Sequence, residues 1–140
     1  MHAVFVDSDV VISSLISKSG AAYLLLHCNL VSPVISSISL KELETVRKRL
    51  NIEKYHLDRL KKERLKIVKL KESVNRIKKC YQDYTFDIND SHIIAGAHKA
   101  QIRFLISYNI QHFQVEKIKK DFGIITLSPG HFLQYLRSLK

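Results

Sequence analysis

Four short apolar runs, set between longer stretches of helical period, constrain this chain more than any other feature. They are "AVFV" at residues 3–6, "LVSPVIS" at 30–36, "RFLIS" at 103–107 and "GIITLS" at 123–128. Runs of this kind read as strands buried on both faces, because they lack the apolar/polar alternation of a half-exposed strand. The segments between them read as helices. Short buried strands alternating with helices predict an α/β fold, doubly wound around a mainly parallel central sheet. With 140 residues, 46% of them hydrophobic, the chain has material for one sizeable core, so one domain over 1–140 is expected.

"SDVVISSLIS" and "GAAYLLLHC" are predicted helices, the second opened by Gly20. Pro33 inside the second apolar run places that strand at an edge or beside a bulge, because proline donates no ladder hydrogen bond. Leu40, Leu43, Val46 and Leu50 recur at helical spacing, and "SLKE" at 39–42 fits a capping box with Glu42 closing on Ser39. Residues 51–80 contain no Gly or Pro and keep Ile67, Leu70, Val74 and Ile77 at helical spacing, which predicts a helical hairpin. "DINDSHIIAGAHKAQ" reads as a helix, "NIQHFQVEKIKKDF" as a loop or short helix, and "PGHFLQYLRSLK" as a closing helix with Pro129 in its first turn.

The formal net charge is +10, and it is local. Residues 41–79 carry fifteen Lys or Arg against six acids, a net of +9. A charge run is ordinarily a solvated helical face, but such faces balance their signs, and this one does not. The excess points to a polyanionic partner, with RNA first, and Lys61, Lys62, Lys66, Lys69 and Lys71 are representative contributors. Tyr55, Tyr81 and Tyr84 are available either for stacking on unpaired bases or for the core. No apolar run approaches the roughly 20 residues that span a bilayer, so no membrane partner and a cytoplasmic location are expected. Cys28 and Cys80 form no metal or redox spacing and read as free thiols. His2, His27, His56, His92, His98 and His131 complete no zinc pattern with them.

Against this basic background, the acids at predicted element starts stand out. Asp7 and Asp9 follow the first strand, Glu42 lies on the helix after the second, and Asp90 opens a stripe formed by Ile93, Ile94 and Ala97. In a doubly wound sheet, ligands bind beyond the carboxyl ends of the strands, where strand order reverses. Each acid also has a structural explanation. Asp7 or Asp9 caps a helix, "DIND" is a cap with Asp87 as its N-cap residue, and Glu42 completes a capping box. Taken together, carboxylates next to apolar stripes raise one another's pKa unless a cation sits among them, and a hard divalent ion resolves that conflict.

These residues resemble the PIN domain family, and in particular toxin ribonucleases of the VapC type. "VFVDSDVVISSLI" is similar to the family's opening strand, aspartate and helix; "SPVISSISLKELETV" to its second strand and glutamate-bearing helix; "DINDSHIIAGAHKAQIRFLISYNIQHF" to its aspartate helix, strand and polar turn; "GIITLSPGHFLQYL" to its final strand and helix. By that resemblance Asp7, Glu42 and Asp90 fall on acidic, metal-binding, catalytic positions, and Asp9 falls where asparagine is common. Ser107 stands where threonine is common. The following turn offers Asn109 and His112 where an aspartate is frequent, so a second ion would be held less firmly there.

The resemblance implies a metal-dependent endoribonuclease using Mg²⁺ or Mn²⁺. Asp7 and Asp90 would bind the ion directly, and Glu42 would bind through water or act as general base. Asp9, Ser107 and Asn109 would hold outer waters or a second ion. His112 is left between metal ligand, phosphate donor and polar-turn residue. An antitoxin protein and a homodimer are implied partners. The alternative is a catalytically degenerate PIN module that binds RNA or a protein without turnover. A phosphoacceptor domain of the response-regulator type would need a lysine after the third apolar run, and "RFLISYN" offers none.

Overall fold

The computed structural model describes residues 1–139. Five parallel strands form one sheet in the order β3-β2-β1-β4-β5: β1 (His2–Val6), β2 (Val31–Ser36), β3 (Lys66–Val68), β4 (Phe104–Ile106) and β5 (Ile125–Leu127). The helices are α1 (Ser8–Ile16), α2 (Ala21–Leu26), α3 (Ser37–Arg49), α4 (Lys54–Glu63), α5 (Val74–Tyr81), α6 (Ser91–Lys99), α7 (Val115–Phe122) and α8 (Pro129–Ser138). The chain builds outward from β1 through β2 to β3, then returns to β4 on the other side of β1. Strand order therefore reverses between β1 and β4, and the α/β, doubly wound, parallel fold expected from the apolar runs is the one observed. Among the described residues, no helix is long and apolar enough to cross a membrane.

The central strand shows why the apolar runs are continuous. Val4 and Val6 point into a core layer with Val10, Leu25, Leu26 and Phe132, while Phe5 points into the opposite layer with Ile93, Ile94, Leu105 and Ile118. Each such fully buried side chain contributes about 1.5–3 kcal/mol relative to exposure. α6 lies so close to β1 that a Cβ on Gly96 would stand 2.7 Å from Phe5 Cε2, so glycine is required there.

The segment expected to be a helical hairpin does hold two helices, α4 and α5, but a strand rather than a turn separates them. Its periodicity misleads because Ile67 is 40% and Val74 49% exposed, and only Ile77 of that set is buried. β3 is three residues long, and it forms by main-chain pairing of Lys66, Ile67 and Val68 with Val34, Ile35 and Ser36. That pairing starts one residue beyond Pro33, which pairs across β1 with Val4. At Pro33 the second strand is therefore still an edge, and the absent N–H costs no ladder bond. One basic residue of this segment is structural. Arg64 donates to the carbonyls of Leu26 (2.7 Å), Cys28 (2.8 Å) and Val31 (2.9 Å), tying the end of α4 to the amino end of β2.

The start of α3 also differs from expectation. Its N-cap is Ser36, whose Oγ accepts from the Ser39 amide at 3.0 Å and donates to Ser39 Oγ at 3.2 Å. Ser39 lies inside the helix, so no capping box involves Glu42, and the glutamate is left for another role.

Candidate functional site

The carboxyl end of β1, the turn after β4, the middle of α3 and the first turn of α6 surround a cleft of about 450 Å³. Asp7, Asp9, Glu42, Asp90, Asn109 and His112 line it, with Thr45, Val46 and Ile93 between them. All six of these were sequence candidates, and they come from four separate segments of the chain.

Asp7 occupies the N-cap position of α1 with extended backbone, yet its side chain makes no capping hydrogen bond. It turns instead toward Ser107, fully buried at the end of β4, whose Oγ donates to Asp7 Oδ2 at 2.9 Å. Asp9 Oδ2 accepts from the Tyr108 amide at 3.1 Å and lies 3.4 Å from the same serine oxygen. Ser107 has one hydroxyl proton, and the shorter distance assigns it to Asp7. The serine oxygen also accepts from the Asn109 amide at 3.0 Å, which fixes the turn carrying Asn109 and His112. Asp9 Oδ1 is buried and has no partner among the described residues.

Asp90 sits at the N-cap of α6 and likewise makes no capping bond. The cap in this turn belongs to Asp87, which accepts from the Asn89 amide at 2.9 Å. His112 Nδ1 stands 3.8 Å from Asp90 Oδ2, beyond hydrogen-bond range but within electrostatic reach. Glu42 accepts from or donates to His92 at 3.1 Å between Oε2 and Nε2. The imidazole side chain of His92 is 7% exposed, while the glutamate is 45% exposed. The sequence does not mark His92 as a site residue, because its partner lies fifty residues away and no local pattern signals that pairing. Its other ring nitrogen, Nδ1, is buried without a partner among the described residues.

The site is electrostatically frustrated. Burial, and then the neighbouring Asp9 charge, push Asp7 up from 3.8 to about 6, against the opposing Ser107 and Ser8 hydrogen bonds. Burial raises Asp9 too, partly offset by the Tyr108 and Val10 amides. Asp90 is raised by burial, then by the charges of Asp7 and Asp87, with His112 and His92 pulling the other way. An all-oxygen donor set of this kind suits a hard divalent cation, and the unpartnered Asp9 oxygen is an open acceptor. Among the described residues, no three His, Cys, Asp or Glu side chains are drawn together as a ready cage. The donors nonetheless fit Mg²⁺ or Mn²⁺ chemically, since Mg²⁺ keeps several waters and takes only one or two carboxylates directly.

The five candidate lysines divide. Lys69 and Lys71 follow β3 at the cleft end of the sheet, where the Leu70 amide donates to Ser37 Oγ at 3.1 Å. Lys61 and Lys62 end α4 beside Arg64, at the opposite end of the sheet, and Lys66 opens β3 level with Val34. The tyrosines divide as well. Tyr81 is buried and bonds His98 Nδ1 at 2.7 Å, and Tyr84 bonds Asp121 at 2.7 Å while packing on Phe122. Tyr55 is 61% exposed.

A family model of the PIN domain matches residues 3–111. No curated protein sequence matches significantly. Among solved structures, a toxin–antitoxin complex from Klebsiella pneumoniae aligns with a TM-score of 0.66 at 18% identity, over 90% of this chain and 97% of that one. VapBC2 from Rickettsia felis, bound to a DNA fragment from its promoter, aligns with a TM-score of 0.63 at 18% identity, over 90% and 98%. Mycobacterium tuberculosis VapC20, a toxin that cleaves the sarcin-ricin loop, aligns with a TM-score of 0.54 at 14% identity, over 73% and 86%. At these identities the likeness is one of fold.

Proposed function

This chain belongs to the PIN domain family, and we propose that it is a divalent-metal-dependent endoribonuclease acting as the toxin of a toxin–antitoxin pair. The observation that carries the reading is the cleft itself. Asp7 and Asp9 meet Asp90 from a second segment at the point of strand-order reversal; burial raises all three, and carboxylate repulsion adds to it at Asp7 and Asp90. A fold does not spontaneously collect desolvated carboxylates without something to neutralise them. The likeness to toxin–antitoxin complexes supports a protein antitoxin as partner, and the basic surface supports RNA as substrate.

In this reading Asp7 and Asp90 hold a Mg²⁺ or Mn²⁺ ion, which when bound supplies a nucleophilic water and positive charge next to the phosphate. Ser107 keeps Asp7 in place by donating to Oδ2, while Oδ1 has only a long 3.5 Å contact from Ser8 Oγ and would be the oxygen offered to the cation. Asp9 and Asn109 hold outer waters. Glu42, freed from capping and held by His92, orients the attacking water and accepts its proton. His112 lies on the cleft wall where it donates to a phosphate oxygen. A dimer of this chain is part of the same proposal.

One observation favours a second reading, a module that binds without turnover: the turn after β4 presents Asn109 and His112 to the cleft rather than another acid. Cleavage of a panel of structured and single-stranded RNAs decides between them, with Mg²⁺, Mn²⁺ or chelator and an Asp7→Asn control. Ion-dependent cleavage lost in Asp7→Asn supports the nuclease. RNA binding equal in both proteins, with no cleavage under any ion, supports the binding module.

A further inference from the structure

We propose that the RNA strand leaving the acidic cleft runs down the exposed face of α1 into a basic, aromatic pocket between α1, α2 and α4. This rests on the nuclease reading above and extends it to the path of the substrate. A polymeric substrate held for hydrolysis at one phosphodiester needs somewhere to go on either side of that bond. On the α1 side a series of adjoining cavities offers such a route.

The acidic cleft shares Ser8, Asp9 and Val46 with an adjoining groove of about 440 Å³. That groove is walled by Ile12 and Ile16, with Ser13 and Ser17 beside them. Positions 9, 13 and 17 and positions 8, 12 and 16 follow the i, i+4 rows of a helix, so they form one face of α1, and Val46 of α3 stands across from it. Ile16, 65% exposed, also borders a third cavity of about 520 Å³. The three spaces are therefore neighbours, each bordering the next through shared residues. Apolar side chains offer surfaces for base faces and serine hydroxyls offer partners for base edges, a combination that tolerates any sequence.

The third cavity has the chemistry of a single-strand binding surface, cations interleaved with aromatic rings. Lys18 and Arg59 line it with Tyr23, His27 and His56. Tyr23 stacks on His27 with ring centres 4.1 Å apart, and the exposed Tyr55 sits edge-on to His56 at 5.5 Å. Glu63 bonds Arg59 at 3.1 Å, but both are more than half exposed, so solvent leaves that guanidinium available to a phosphate. Lys62 lies one turn beyond Arg59 on α4. From Ser8 to Ile16 the nine-residue helix covers roughly 12 Å, so a strand that reaches the third cavity must extend beyond the nucleotides at the scissile bond.

The test uses RNA binding in an Asp7→Asn background, which removes cleavage from the measurement. Affinity for fluorescent single-stranded RNAs of increasing length is compared in three proteins: the background itself, Lys18→Glu with Arg59→Glu, and Lys119→Glu with Lys120→Glu on α7 as a charge-matched control. Loss of two phosphate contacts at 0.1 M salt costs about 25-fold, and lowers the salt slope by about 1.4, at ~0.7 per contact for a single strand. The proposal expects those losses in the Lys18/Arg59 variant on long RNAs and much smaller ones in the α7 control. Equal losses in both variants, or none in the first, would overturn it and leave the α1 groove to a protein partner. The nuclease reading is judged apart, by cleavage in the protein with Asp7 intact. That protein cleaving while Lys18/Arg59 reversal leaves binding unchanged would sink only the strand path.

Discussion

Replacing Asp7 by Asn should stabilise this protein at neutral and alkaline pH, at the cost of its function. Asp7 titrates near 6 in the fold against an ordinary 3.8, so the folded state binds its proton more tightly than the unfolded chain does. The folded protein therefore carries a penalty that is absent below about pH 3.8, grows as pH rises through 4 to 6, and is fully in force above 6. At 1.36 kcal/mol for each tenfold change in proton affinity, the penalty is about 3 kcal/mol at pH 8 and about 1 kcal/mol at pH 4.5. Asparagine is nearly isosteric, and its carbonyl accepts from Ser107 as Asp7 Oδ2 does, so the change removes the charge and little else. It also relieves the repulsion that Asp7 imposes on Asp90. Urea denaturation of both proteins at pH 8 and pH 4.5 measures the difference. The expected result is a variant more stable by as much as ~3 kcal/mol at pH 8, with a gap that shrinks at pH 4.5. A variant no more stable than the parent at pH 8, or a gap independent of pH, would refute the claim that Asp7 is held as a frustrated carboxylate.

Three further outcomes follow from particular contacts. His92→Leu should leave the fold intact, because it removes the unpartnered Nδ1, but lower RNA cleavage about 10–100-fold by releasing Glu42, with His92→Gln recovering part of it; equal cleavage by all three proteins would show that the pair is only structural. Lys69→Glu with Lys71→Glu, beside the cleft, should weaken RNA binding and flatten its salt dependence, whereas Lys66→Glu should do so less; filter binding across a salt series compares them. Gly96→Ala should destabilise the protein by about 1–3 kcal/mol in a urea melt, since the new methyl meets the Phe5 ring, and Phe5→Leu in the same chain should recover some of the loss.

What the sequence made legible depended on whether a residue's role was local. Strands β1, β2, β4 and β5 and helix α1 are legible because their apolar patterns report burial directly. β3 is not, because Lys66–Val68 has little burial of its own and exists through main-chain pairing with β2. Alternation with lysines let it pass as a continuation of helix. The acids at element starts are legible, and so is the Asp87 cap before α6, because its role is local. The cap of α3 is not, since Ser36 rather than Ser39 supplies it. That shift of one turn frees Glu42 for the cleft. His92 escaped notice because its significance lies entirely in a contact between α6 and α3. The basic run was visible as composition, yet composition does not separate Arg64, spent on three carbonyls, from lysines that face solvent.

The central claim is that the buried carboxylates of the cleft exist to hold a divalent cation, and Mn²⁺ binding measured by electron paramagnetic resonance, without RNA, tests it most directly. The account predicts saturable binding at pH 7.5 that weakens toward pH 5 as Asp7 takes up its proton, and that is lost in Asp7→Asn. Absence of binding at pH 7.5, or binding unchanged by Asp7→Asn, would contradict it.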